Sequence, residues 1–318
     1  MRAPFTSIRI GTRGSALARM QTAIVTDALR SVWPDLTASV VVIATRGDAV
    51  LDKPLPDVGG KGLFTAELEA ALKDGTVDLA VHNLKDLPSG ASSGLIVGAV
   101  LARVDERDAL VSRHGHTLAS LPRAATVGTS SRRRAAQLCA VRPDLRMIDL
   151  RGNVETRLRK AFDPQGVYDA IVVAQAALMR LGRTEDASEL LDLDLLLPAP
   201  GQGALVVQCR DEARSCELLT PLHDLTTAAA TAAERTFLEG LGGGCAVPIA
   251  AHGSLDARGM LLLRGRVCAL DGSRRIDVTQ SADVMRAGRP SAELAAALGL
   301  RLAQEAIHAG ATAILRHG

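Results

Sequence analysis

Apolar residues come in short runs that alternate with helical spacing from the start of the chain. Ile8–Thr12 predicts a strand, and Ser15 then caps a helix with Leu17, Met20, Ile24, Ala28 and Val32 on one face. Val40–Ala44 predicts a second strand. Two prolines and three glycines within Asp48–Gly62 predict a loop. Phe64–Lys73 has helical spacing, and Val77–His82 has the composition of a buried strand leading into Lys85-Asp86-Leu87-Pro88. Leu95–Leu101 adds another strand.

The same grammar then restarts. Ala109–Ser112, Thr126–Val127, Met147–Leu150 and Asp169–Val173 predict strands, and helices beginning near Ser131, Val154 and Ala176 follow the last three. This alternation indicates α/β architecture with mixed sheets covered by helices on both faces. Pro198-Ala-Pro-Gly-Gln-Gly203 breaks the pattern before one more strand, Ala204–Gln208, which can return to the first domain and make it discontinuous. From about Thr226 an Ala-rich helix, a Gly-Gly-Gly-Cys segment, strands such as Leu261–Val267 and a final amphipathic helix, Ser291–Ala309, suggest a small α+β domain.

Composition narrows the function classes. At 318 residues, two or three domains are expected. A net charge of +2 with 2% aromatic residues argues against a nucleic-acid binder, which needs a basic face and stacking rings. Five of the 37 basic residues are lysine, which leaves 32 arginines. Coding bias accounts for that total but does not choose positions. The five cysteines (Cys139, Cys209, Cys216, Cys245 and Cys268) show no C-x-x-C pair and no zinc spacing, as in a reduced compartment. With no apolar leader and no run of membrane-spanning length, the expectation is a soluble cytoplasmic protein without a metal.

The arginines fall where chemistry is done. Arg13 precedes Ser15, Arg132–Arg134 follow Ser131, and Arg151 precedes Gly152 and Asn153, each at a predicted strand–helix junction. Helix N-termini offer unpaired N–H groups, and strand carboxyl ends line the ligand crevice of open α/β sheets. Guanidinium forks added there suit carboxylates or phosphates. Several such sites on two domains suggest a ligand with many anionic groups, against the simpler alternative of solvated charge. Asp86 follows a buried strand into the same crevice, where it either stabilises developing positive charge and moves a proton or caps a local N–H. Cys245, after three glycines, is either a turn residue or an attachment point. Gly59-Gly-Lys61-Gly lacks P-loop spacing, no histidine pair has metal-ligand spacing, and His82 reads as a packed residue.

Taken in order, the motifs resemble the hydroxymethylbilane synthase (porphobilinogen deaminase) family over nearly the whole chain. They are Arg13-x-Ser15-x-Leu-Ala-x-x-Gln21, Thr45-Arg-Gly-Asp48, Val58-Gly-Gly-Lys61-Gly-Leu-Phe64 and His82-x-x-Lys85-Asp86-x-Pro88. Val127-Gly-Thr-Ser-Ser131-x-Arg133-Arg134, Leu150-Arg151-Gly152-Asn153-Val-x-Thr-Arg157, Pro200-Gly-Gln202-Gly and Gly243-Gly-Cys245-x-Val-Pro248 follow. The resemblance implies three domains, 1–101 with 202–220, 106–197, and 225–318. The first two are similar to halves of type II periplasmic binding proteins. It implies a dipyrromethane cofactor on Cys245 through a thioether, and head-to-tail addition of four porphobilinogen molecules with loss of ammonia. Hydrolysis then releases hydroxymethylbilane for uroporphyrinogen III synthase.

By the same resemblance Asp86 and Lys85 are catalytic, and with Ser131, Arg133, Arg134, Gly152 and Asn153 they meet the cofactor. Arg13, Ser15, Lys61, Phe64, Arg151, Arg157, Arg180 and Gln202 bind substrate, and the protein is a monomer. Departures from the family pattern are Asp57 for a frequent lysine, Asn83 for the usual serine, Leu84 for methionine, Arg132 for leucine, Ala177 for glycine and Gly242 for glutamate. Two other classes compete. A non-catalytic solute-binding protein leaves the joint presence of Asp86 and Cys245 unexplained, and a regulator docking nucleic acid through Arg132–Arg134 lacks a basic face.

Overall fold

The computed structural model describes residues 3–49, 62–88, 90, 92–244 and 247–316, with backbone alone at 48 and 49. Four strands, β1 (Ser7–Thr12), β2 (Thr37–Val42), β3 (Leu79–Asn83) and β4 (Leu95–Val100), belong to one sheet. A second contains β5 (Asp108–Val111), β6 (Thr126–Gly128), β7 (Arg146–Ile148), β8 (Ala170–Ala174) and β9 (Glu189–Leu191). The next strand, β10 (Leu205–Arg210), returns to the first sheet, giving orders β2-β1-β3-β10-β4 and β7-β6-β8-β5-β9.

Both sheets follow one plan. β1 is parallel to β2 and β3, as β6 is to β7 and β8; then β10 or β5 enters antiparallel, pairing also with an edge strand. Those antiparallel strands follow the two crossings between sheets, 101–107 and 192–204. The crossings are tied together: Arg103 Nε donates to the Gln202 carbonyl at 2.7 Å and Gln202 Nε2 to the Glu106 carbonyl at 2.7 Å. Gly203 permits this approach, since its φ is +90° and a Cβ there would lie 2.6 Å from the Val104 carbonyl oxygen.

The central strands read as continuous apolar runs because both faces are covered. Ala170 and Val172 of β8 pack with Leu110, Val127 and Leu138, while Ile171 and Val173 pack with Leu158 and Leu178 on the other side. In β3, Leu79 and Val81 meet Val25, Leu29 and Trp33, and Ala80 meets Leu68 and Leu72. The antiparallel sheet of β11 (Ile249–Leu255), β12 (Met260–Cys268) and β13 (Arg275–Asp283) is covered by helices Leu225–Gly240 and Ala292–His308. Phe237, Leu263, Leu298 and Leu302 fill its core. Among the described residues, no helix is long and apolar enough to cross a membrane.

Three features differ from the sequence expectation. The helix after β1 (Ala16–Val32) buries Gln21, Thr22, Val25, Thr26 and Leu29, while Met20, Ile24 and Val32 of the predicted face are exposed. The two threonines bury cheaply because each hydroxyl donates to the carbonyl four residues back, Thr22 to Ala18 and Thr26 to Thr22. β2 starts three residues before the predicted strand, its edge position leaving Thr37, Ser39, Val40 and Val42 exposed. β9, β13 and helix Ala213–Leu219 are elements that the reading of apolar runs did not predict.

Candidate functional site

The carboxyl ends of the parallel strands meet around one crevice. β1 runs into Arg13 and Ser15, β3 into a 3-10 turn at Leu84–Asp86, β6 into Ser131, β7 into Arg151–Asn153, and β8 into the helix that carries Arg180. Three predicted contacts are N-caps. The Ala18 N–H donates to Ser15 Oγ at 3.2 Å, the Arg134 N–H to Ser131 Oγ at 3.4 Å and the Thr156 N–H to Asn153 Oδ1 at 2.9 Å. Capping uses a lone pair, so each serine hydroxyl keeps its proton and Asn153 its amide donors for a ligand anion. Gly152 has a φ of +113°, and a Cβ there would lie 2.7 Å from Thr156 Cγ2.

Cations line this crevice from both sheets. The Arg13 guanidinium lies over the Phe64 ring, 4.2 Å from its centroid. Arg157 Nε donates to the Gly152 carbonyl at 2.9 Å, and Lys85 Nζ to Gln202 Oε1 at 3.1 Å. Arg180 reaches across to donate to Asn83 Oδ1 at 3.2 Å and to the Gly203 carbonyl at 2.7 Å. Asp86 lies among these groups, its Oδ2 accepting from Asn83 Nδ2 at 3.1 Å.

Burial and mutual repulsion strain this cluster electrostatically. Lys85 is pushed down to about 8 by burial and by Arg134, with Asp86 and Asp108 only partly offsetting them. Burial, then Arg134 and Arg151, push Arg157 down to about 10 despite Asp86, and burial alone brings Arg180 to about 10. Burial also brings His82 down to about 4, so it is neutral near pH 7.

Some expected ligand residues are turned inward. Arg133 and Arg134 are buried against Asp108, with Arg133 Nη2 at 2.7 Å from Oδ2 and Arg134 Nη2 at 2.7 Å from Oδ1. Their Nη1 atoms donate to the Leu197 and Val172 carbonyls, respectively. Gln202, expected to meet substrate, is fully buried; its amide accepts from Lys85 and donates to the Glu106 carbonyl and Asp108. Lys61, Asp57 and Cys245 lie outside the described residues.

Sequence reasoning missed Asp108, although an acidic residue opening the apolar stretch Asp108–Val111 was a usable signal. It also missed Glu234 and Arg235, a charged pair inside an Ala-rich helix. Buried Glu234 pairs with Arg103 at 2.7 Å and accepts the Gly201 and Gly253 N–H groups. Arg235 donates to the Leu84, Leu87 and Pro88 carbonyls, gripping the turn that bears Lys85 and Asp86.

Residues 8–217 match the family model described as porphobilinogen deaminase, dipyromethane cofactor binding domain, and residues 228–308 match the porphobilinogen deaminase C-terminal domain. The chain belongs to the porphobilinogen deaminase family. The porphobilinogen deaminase of Roseiflexus castenholzii (strain DSM 13941 / HLO8) is 50% identical over 310 residues, spanning 97% of this chain and 98% of that protein. That of Syntrophotalea carbinolica (strain DSM 2380 / NBRC 103641 / GraBd1) is 47% identical over 310 residues, spanning 97% and 95%. A looser likeness to the methionine binding protein MetQ has a TM-score of 0.39 at 13% identity, covering 69% of this chain and 89% of that one. It adds nothing to the strand order described above.

The crevice of this porphobilinogen deaminase family member lies within the cofactor-binding match, and its chemistry fits a dipyrromethane. Lys85 and Arg157, held down by burial and then by neighbouring arginines, gain from a ligand that brings several carboxylates.

Proposed function

We propose that this chain catalyses hydroxymethylbilane synthesis. Four porphobilinogen molecules are joined head to tail, each losing ammonia, on a dipyrromethane held by a thioether at Cys245, and water releases the product. The observation that carries this reading is the convergence of Lys85, Arg157 and Arg180 from both sheets around the turn bearing Asp86, where burial and then the neighbouring arginines hold Lys85 and Arg157 below their ordinary values. An acetate and a propionate on every ring make the growing chain a polycarboxylate suited to such a crevice.

When bound, the dipyrromethane supplies a nucleophilic pyrrole carbon and carboxylates for the protein to hold. Ser131, Gly152 and Asn153 present helix-start donors to those carboxylates, while Arg133 and Arg134, neutralised in part by Asp108, set the field behind them. Arg13, steadied on Phe64, and Ser15, Arg151, Arg157, Arg180 and Lys61 bind substrate carboxylates; Gln202 orients Lys85 rather than touching substrate. Asp86 hydrogen-bonds the substrate ring N–H and stabilises the positive charge that develops as ammonia departs. It then assists loss of the ring proton after the carbon–carbon bond forms.

The three-domain division at 1–101 with 202–220, 106–197 and 225–318 is part of the proposal, and the return of β10 to the first sheet supports it. A monomeric state, a cytoplasmic location and hand-over of product to uroporphyrinogen III synthase rest on the family resemblance. Asp86→Ala tests the catalytic assignment. It should fold and load cofactor yet lose roughly 100-fold or more in kcat, the scale for removing a group that meets developing charge. Turnover within a few-fold of wild type would exclude that role.

A further inference from the structure

Asn83 closes β3 three residues before Asp86, and its amide is fixed at both ends. Its Oδ1 accepts from Gln21 Nε2 at 2.6 Å and from Arg180 Nη1 at 3.2 Å, while its Nδ2 donates to Asp86 Oδ2 at 3.1 Å. A guanidinium has donors and no acceptor, so Arg180 dictates which end of this amide is oxygen. The nitrogen end must then face Asp86. Arg180 is itself anchored by the Gly203 carbonyl at 2.7 Å and stands on the helix that follows β8, in the other sheet's half of the crevice.

We infer that Asn83 is the positioning residue for Asp86, aiming its carboxylate by a hydrogen bond whose direction Arg180 enforces and Gln21 supports. The inference rests on the reading of Asp86 as the catalytic carboxylate. An untethered aspartate samples several rotamers, and a charge-assisted hydrogen bond from a locked donor selects one. With Oδ2 held by Asn83, the direction in which the carboxylate meets the substrate ring N–H is fixed. Because Arg180 comes from the opposite half, the amide is locked only when both halves stand as they do here. Asp86 is thereby aimed only while Arg180 bridges the two halves.

Asn83→Asp separates this role from a structural one. The new carboxylate still accepts from Gln21 and Arg180, so the scaffold is kept, but it replaces the donor to Asp86 with a like charge. In cofactor-loaded protein, with loading checked by intact mass, Asn83→Asp should lower kcat about tenfold or more, the worth of a hydrogen bond to a charged group. KM for porphobilinogen should rise in Asn83→Asp, whose new charge pairs with the substrate-binding Arg180, and stay within about twofold in the isosteric Asn83→Leu, which should lower kcat similarly. If Asp86→Ala is inactive while Asn83→Asp keeps wild-type kcat, the inference fails and the reading of Asp86 stands. If Asp86→Ala itself turns over normally, that reading fails first. Crystal structures of wild-type and Asn83→Asp protein give a readout independent of turnover: the Asp86 carboxylate should leave its wild-type rotamer, and an unmoved carboxylate overturns the inference.

Discussion

Replacing Asp108 by asparagine removes one negative charge from a point where two guanidinium groups and a buried amide converge. The carboxylate is fully buried and accepts from Arg133 Nη2 at 2.7 Å, Arg134 Nη2 at 2.7 Å, Arg134 Nε at 3.1 Å and Gln202 Nε2 at 2.8 Å. An asparagine of the same shape keeps one acceptor oxygen and turns an NH2 group toward donors. Breaking a buried pair from one side costs about 3–5 kcal/mol, because the remaining charge stays buried. At about 2–4 °C per kcal/mol for chains of this class, the melting temperature should fall on the order of 10 °C.

Differential scanning calorimetry of cofactor-loaded wild type and Asp108→Asn across a pH series is the assay. Burial raises the Asp108 carboxyl, but Arg133 and Arg134, with help from Lys85, outweigh it and hold the group far below the usual carboxylate range. A carboxyl depressed on folding stabilises above its unfolded value, about 3.9, and loses that contribution as pH falls toward the folded value. The gap between the proteins should therefore be constant from neutral pH down to about 5 and narrow below about 4. A fall of under about 2 °C at neutral pH would refute the claim that this carboxylate holds the two arginines. So would a gap that widens as pH drops.

Lys85 stands at about 8 before cofactor carboxylates raise it, so kcat/KM for porphobilinogen should decline with rising pH at or above that value, since the neutral amine cannot hold a carboxylate. In Lys85→Arg, whose guanidinium stays charged, that limb should vanish; its persistence would assign it to the substrate amine. Gly203→Ala places a Cβ 2.6 Å from the Val104 carbonyl oxygen at a φ of +90°. It should cost about 2 kcal/mol or more and loosen the paired crossings, a loss visible in thermal melts.

Much of the fold was legible where the physics is local. Parallel strands buried on both faces, such as Ala170–Ala174, announce themselves as apolar runs, and serine or asparagine before a helix reads as a cap. The helix Ala16–Val32 misled because Thr22 and Thr26 satisfy their hydroxyls internally and bury, which no hydropathy pattern reveals. The site was legible in its residue types and less so in their directions. Arg133 and Arg134 were expected to face a ligand and instead face Asp108, a partner 25 and 26 residues away whose placement depends on β5 entering the sheet antiparallel. Asn83, noted only as a departure from serine, acquires meaning through Gln21 and Arg180, neither near it in the chain.

Intact-mass spectrometry of the purified protein, before and after brief exposure to porphobilinogen, tests the central claim most directly. The wild-type mass should exceed the sequence mass by one dipyrromethane and then advance in discrete steps of one porphobilinogen less ammonia, and Cys245→Ser should show neither. A wild-type protein matured with porphobilinogen that keeps its bare sequence mass, or a Cys245→Ser variant that still gains these increments, would contradict the account.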